Sequence, residues 1–328
     1  MTDPMASGSL VTSTQTEEPT APGTIAPPGA GVPAVQRADK PRGLLGDAWH
    51  DLRRNPLFWI SSAFILLFLV MAAWPALFTS ADPDYGLLQR SRVGPSSDAW
   101  FGYDVQGRDV FARVIYGAQA SIVVAVLSTV GTTLLGGLMG VIAGYRGRWF
   151  DAVLSRVADV FFGLPFLLGG IVILFTFNPP GSNRGKWAII MIVVASLLIL
   201  SWPLSMRIMR SSVLATKEAD YIVAARAMGA SSTRIVFKHL IPNCLAPLLV
   251  YSTILIGSFI GAEATLTFLG VGLRSPVVSW GVMISESQNY IRVSPYLLLF
   301  PAAFLVVAVL SFVMLGEAVR EALDPKLR

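Results

Sequence analysis

Two carboxylates lie inside otherwise apolar runs. Glu263 falls deep within GSFIGAEATLTFLGVG, and Asp159 sits near the start of VADVFFGLPFLLGGIVILF. An ionisable side chain in such surroundings is expensive, so it must bond to a neighbouring helix or face a polar path. For Glu263 both readings stay open: an inter-helix hydrogen bond, or a position lining a path. Asp159 reads as the partner of a basic loop residue or as a helix cap, with substrate contact as the alternative. A third group is fully polar. In GYDVQGRD, Asp104 and Asp109 flank Arg108, with Gly102 and Gly107 at the bends. That spacing suits a self-capped turn, and direct substrate contact is the alternative.

Other chemistries lack their residues. His-Glu-x-x-His, Gly-x-Ser-x-Gly and paired intramembrane aspartates are all missing, so no catalytic residue is expected. There is no Gly-x-x-x-x-Gly-Lys-Ser/Thr phosphate loop, so the chain should not bind ATP itself. The single cysteine, Cys244, excludes an intrachain disulfide. The two histidines, His50 and His239, are too few for a convincing zinc site. Neither a metal nor a directly bound cofactor is expected, and no nucleic-acid partner.

The elements that must hold these groups are membrane helices. The 328 residues are 54% hydrophobic and only 14% charged, with a mean hydropathy of +0.62. Soluble domains carry about 25% charge. Backbone polar groups in lipid must be satisfied internally, which leaves helices or a closed barrel. The apolar runs are long and do not alternate, so the fold class is an all-α membrane protein. Six spans are expected: 57–78, Ala120–Gly144, Val157–Phe177, Trp187–Met206, Leu245–Leu269 and Tyr296–Leu315. Gly136 and Gly140 form a small-xxx-small pair in the second. Residues 1–41, rich in Thr, Ser, Pro, Ala and Gly, read as a disordered tail. Residues 42–56 read as an amphipathic interfacial helix, 79–118 as an external segment, 119–318 as a five-helix core, and 319–328 as a second tail. Arg53 and Arg54 before the first span, with Asp82 and Asp84 after it, place both termini in the cytoplasm.

The longest polar interruption in the second half is Arg207–Asn243. It carries Arg207, Arg210, Lys217, Arg226, Arg234 and Lys238 against Glu218 and Asp220. Such an excess places a loop on the cytoplasmic side. Its residues predict structure. Thr216 to Met228 are good helix formers, with a stripe at Ala219, Ile222, Ala225 and Ala227/Met228. Gly229 stops that helix. Ser231 or Ser232 caps a second one, Thr233–Leu240, which Pro242 ends.

This loop resembles the EAA loop of ABC-transporter permeases, a Glu-Ala-Ala triplet followed by Gly and an Ile-x-Leu-Pro close. Val223-Ala224-Ala225 occupies the triplet, with Val223 in place of Glu. Gly229 stands at the Gly, and His239-Leu240-Ile241-Pro242 at the close, with His239 in place of Ile. RNPLFWISSAFILLFL, the Gly102–Asp109 core with Tyr103 for the usual Thr, SPVVSWGVMISES and GEAVREALDPKLR are similar to segments of the dipeptide/oligopeptide/nickel branch. The resemblance covers about residues 42–328. It implies a type I importer permease fold in a bacterial inner membrane. It implies a coupling helix and turn formed by Ala219, Asp220, Tyr221, Val223, Ala224, Ala225, Arg226, Ala227, Met228, Gly229 and Ala230, docking on an ATPase subunit. Implied partners are a homologous second permease, two ABC ATPase subunits that hold ATP and Mg, an external substrate-binding protein, a peptide substrate and the lipid bilayer. The implied function is alternating-access import of di- or oligopeptides. Nickel, glutathione or another small solute is the alternative within the class, and an ion-driven secondary transporter the alternative outside it.

Overall fold

The computed structural model describes residues 44–179 and 181–323, so the tail 1–41 lies outside the described residues. Among the described residues there are only helices, turns and two isolated bridges. Five helices are long and apolar enough to cross a membrane, or six spans if one sharply bent pair counts as a single crossing.

Helix α1 (Leu44–Arg54) meets α2 (Pro56–Ala73) at Asn55. The Asn55 side chain accepts a hydrogen bond from the Leu57 amide at 2.9 Å, and Pro56 sits in the first turn, where its missing N–H costs nothing. Trp49 packs edge-on against Phe58 across this junction. The α2 helix is shorter than the expected 57–78. It stops at Ala73, because Pro75 restricts Trp74 to a non-helical conformation and opens a short 3₁₀ turn, Pro75–Leu77.

The external segment ends earlier than expected. Asp109 accepts a hydrogen bond from the Ala112 amide at 3.1 Å and starts α3 (Val110–Arg146), a helix of 37 residues. Its first turns are as buried as its middle, with Val110, Val114 and Ala118 each at most 1% exposed. The third span is not continuous. The helices α4 (Arg148–Gly163) and α5 (Phe166–Phe177) are bent by 90°. Pro165 forces Leu164 into an extended conformation and removes a backbone donor, so the chain turns here within the expected third span.

The core forms around α3, which packs most extensively on α6 (Lys186–Thr216) and then on α9 (Ile241–Phe268). The α3–α6 contact is unusually close. A Cβ added at Gly136 would lie 2.6 Å from the Trp202 carbonyl oxygen, and one at Gly140 would lie 2.6 Å from that of Met206. No larger residue fits, because the facing atoms are backbone. Val124, Ile189, Val193, Leu197, Phe259 and Ile260 fill the interior beside this seam. The bundle is completed by α11 (Tyr296–Leu323), which packs on α9 and α2, and by the short helix α10 (Trp280–Ser287).

Two boundaries in the polar loop differ from the sequence expectation. The first loop helix, α7, runs Asp220–Ala227 and does not begin at Thr216, because α6 continues to that residue and Val213 buries against α3. The second does not end at Pro242. A turn, α8 (Ser232–Arg234), passes through a π-helical stretch, Ile235–Leu240, directly into α9, so Ser232–Phe268 is one continuous run. The wider π turn sits just before Pro242, where a regular helix would clash with the proline ring.

Candidate functional site

The 207–243 loop is an ordered helix–turn–helix. The carbonyl of Ala219 accepts from the amides of Ile222 (2.9 Å) and Val223 (3.1 Å), which starts α7 without a side-chain cap. Ile222 (0% exposed) and Ala225 (6%) are buried, where α7 packs against the Ile235–Leu240 stretch that follows it. Asp220, Tyr221, Val223, Ala224, Arg226, Ala227 and Met228 are exposed, and Ala219 and Ala230 are half-buried. Gly229 then reverses the chain at φ 78°, a left-handed conformation that L side chains rarely adopt. Its amide bonds to Arg226 O, and that of Ala230 to Ala225 O, closing the helix end. Ser231 Oγ accepts from the Arg234 amide at 3.4 Å and caps the return. The expected docking residues therefore divide. Ala225 faces inward with Ile222 and anchors α7, while Val223, Ala224 and Ala227 lie on the exposed face beside the larger Tyr221, Arg226 and Met228.

The loop is braced to α4. Asp151 holds Arg210 by two contacts, one of them 2.7 Å between Oδ2 and Nη2. Asp159 pairs with Arg207 at 2.6 Å and with Arg156 at 3.7 Å, and the Arg207 guanidinium lies over the Phe162 ring. Asp159 is thus an anchor at the loop end of the bundle, far along the chain from the groups around Glu263.

Glu263 lies near the opposite end of α9 and is wholly buried. Three hydroxyls donate to it. Ser121 of α3 reaches Oε2 at 3.2 Å, and Thr267 of α9 reaches Oε1 at 2.9 Å. Ser279, in the turn before α10, also reaches Oε1, at 3.1 Å. Ser279 Oγ accepts from the Val282 amide and so caps α10 as well. Beside it, the fully buried Trp280 donates Nε1–H to the Val114 carbonyl at 2.9 Å. Gly281 lies so close to α9 that a Cβ would stand 2.8 Å from Ala264 Cα and 3.0 Å from Glu263 Oε1. The carboxylate joins three segments.

The Asp104–Asp109 turn sits at the other end of α10. Asp104 Oδ1 accepts from the amides of Gln106 (2.8 Å) and Arg108 (2.9 Å), and Oδ2 meets Arg108 Nε at 2.6 Å. Glu286 Oε2 receives both Arg108 Nη2 and Arg113 Nη2, each at 3.0 Å. Arg113 is only 2% exposed and has Asp104 3.7 Å away on its other side. Asp104 and Arg108 meet, whereas Asp109 is the separate cap of α3. Sequence reasoning passed over Ser121, Thr267, Ser279, Arg113, Glu286 and Asp151. Arg113 carried a usable signal, a lone cation one turn into a helix of Val, Phe and Ile. The hydroxyls carried none, since Ser and Thr in membrane helices usually bond their own backbone. Among the described residues no cluster of His, Cys, Asp and Glu could hold a metal.

A multi-pass helical bundle with an ordered, exposed helix in its polar loop has the build of a membrane transport subunit. Comparison with known proteins agrees. Residues 136–328 match the family described as binding-protein-dependent transport system inner membrane component, and residues 43–95 match the N-terminal TM domain of oligopeptide transport permease C. The dipeptide transport system permease protein DppC of Alkalihalophilus pseudofirmus is 36% identical over 86% of this chain and 90% of its own. The oligopeptide permease OppC of Bacillus subtilis is 34% identical over 90% and 94%. The glutathione permease GsiD of Pectobacterium atrosepticum is 32% identical over 85% and 90%. Among solved structures, an inward-facing MetNI methionine ABC transporter shares the fold with a TM-score of 0.50 at 22% identity, covering 65% of this chain and 96% of that one. The chain belongs to the binding-protein-dependent inner-membrane components and is a permease subunit of an ABC importer.

Proposed function

We propose that this permease forms half of a di- or oligopeptide path and is driven through the outward face of α7. The observation that carries the reading is the division of α7. Ile222 and Ala225 are buried where α7 meets the Ile235–Leu240 stretch, and Val223, Ala224 and Ala227 stand exposed for close contact with a groove on an ATPase subunit. The importer would contain a homologous second permease, two ATPases that bind ATP and Mg, and an external binding protein. The basic 207–243 loop and both chain ends would lie on the cytoplasmic side of a bacterial inner membrane. ATP-driven closure of the ATPases would carry α7 with them and rock the spans between outward-open and inward-open states. Peptide is favoured as cargo by the dipeptide and oligopeptide relatives. Glutathione, itself a small peptide, is the second reading, favoured by the GsiD relatives.

The test is gentle purification of the tagged chain with its partners, with Ala227→Cys as a crosslinking handle on α7. Crosslinks to a nucleotide-binding subunit are expected. Gly229→Leu should insert into the membrane yet uncouple ATP hydrolysis from uptake. A chain that purifies alone, or normal uptake by Gly229→Leu, would overturn the docking reading. Competition of uptake by dipeptides, longer peptides and glutathione then decides the cargo.

A further inference from the structure

The helix that leaves the polar loop and the carboxylate at its far end belong to one device. From Ser232 the chain runs without a break to Phe268, which at about 1.5 Å per residue is a run of roughly 55 Å. Its near end begins three residues after Gly229, at the turn that follows α7. Leu240, Cys244 and Leu248 fix that end against Met209 and Val213 of α6. Its far end carries Glu263, which accepts from both Thr267 and Ser279 and so holds the start of α10.

The local construction favours a joint over a path residue. Glu263 is 0% exposed, and every hydroxyl it binds is buried. Gly281 admits no side chain between α10 and α9, and a Cβ at Gly117 of α3 would stand 3.3 Å from the Ser279 carbonyl carbon. A carboxylate accepts through two oxygens, and here both are used, one toward α3 and one toward α9 and α10 together. Beside the close packing of Gly281 on α9, the other long-range side-chain hydrogen bonds of α10 go to different elements: Trp280 bonds to α3, and Glu286 to Arg113 of α3 and Arg108 of the Asp104–Asp109 turn. Among the described residues, Ser279–Glu263 is therefore the side-chain hydrogen bond that ties the start of α10 to α9.

We propose that Glu263 is a positioning residue that makes α10 move with α9, so that a displacement of the loop at one end of the bundle reaches the external helix at the other. The proposal rests on the docking of α7 described above. The charge is not what the joint needs. A glutamine keeps an oxygen for Thr267 and Ser279, and its amide can donate to Ser121, whereas alanine leaves three buried hydroxyls without their acceptor.

The experiment uses the whole importer in proteoliposomes, in a Cys244→Ser background. Ser285→Cys on α10 reports movement through its reaction rate with an impermeant maleimide, with and without trapping by ATP and vanadate. Ala227→Cys crosslinking to the ATPase is scored in parallel. With Glu263 present, the two states should differ at least about five-fold, the lower end of ordinary coupling. Glu263→Ala should flatten that difference while the α7 crosslink persists, and Glu263→Gln should restore it. Retention of the full difference in Glu263→Ala, or failure of glutamine to restore it, overturns the proposal. If Glu263→Ala does not assemble, Ser279→Ala decides in the same way: a flattened response supports the joint, and a full response refutes it. Loss of the Ala227→Cys crosslink in the otherwise unaltered importer would instead strike the docking reading, and this proposal with it.

Discussion

The α3–α6 seam makes the sharpest quantitative demand. A Cβ at Gly140 would sit 2.6 Å from the Met206 carbonyl oxygen, 2.6 Å from Met209 Cβ and 3.0 Å from the Arg210 amide nitrogen. Two of those three atoms are backbone and cannot rotate away. Ordinary contact between such atoms needs about 3.5–4.0 Å, so even alanine must push the helices apart by roughly 1 Å. Overpacking of this kind costs about 1–3 kcal/mol, and leucine should reach or exceed the top of that range. The displacement also matters in position. Arg210 and Val213 lie on the last turns of α6 before the loop, so parting the helices there shifts the root of α7. Thermal unfolding of the purified complex and Ala227→Cys crosslinking should both show a graded loss, wild type above Gly140→Ala above Gly140→Leu. Gly261→Ala is the matched control, since a Cβ there meets nothing within 4 Å. Wild-type stability and crosslinking in Gly140→Leu would refute the close-packed seam.

Other outcomes follow from the polar contacts. Glu286→Gln removes the carboxylate 3.0 Å from the buried Arg113 and should cost about 2 kcal/mol, the range for hydrogen bonds to charged groups, seen as faster proteolysis of the external segment. Asp151→Asn should destabilise the loop end more than Asp159→Asn, because the Asp159–Arg207 pair is about half exposed and such pairs contribute about 1 kcal/mol or less; thermal unfolding of the two variants side by side checks the order. At Gly229, which faces open space, Gly229→Ala should cost about 1–2 kcal/mol purely through its positive φ, with Gly229→Asn milder, read as the ratio of uptake to ATP hydrolysed.

Much of this architecture was legible because hydrophobicity runs in blocks. The long apolar stretches around Val124, Val193, Ile260 and Val307 became helices, and the Gly136–Gly140 spacing marked a close helix contact before its partner, α6, was known. What stayed hidden depended on where helices stop. Asp109 was read within a turn, yet its place before Val110 made it a cap that lengthened α3. Pro165 was read as lying inside a continuous span and Pro242 as a helix stop, and the structure reverses both. The first turns the chain by 90°, while the second follows a π turn and leaves the helix running. The site showed the same division. The polar face of α7 could be read from one helix, but the partners of Glu263 come from three segments, and no local pattern joins Ser121 to Ser279.

The bend between α4 and α5 bears on the surrounding lipid. Only the 12 residues of α5 continue the third crossing beyond the break, roughly 18 Å of helix at 1.5 Å per residue. The hydrocarbon layer is about 30 Å thick. Acyl chains beside α5 must compress, or α4 must sink along the boundary until Asp151 and Asp159 strain against Arg210 and Arg207. Hydrophobic mismatch would thereby load the two ion pairs that brace the polar loop, and a thicker bilayer would load them more.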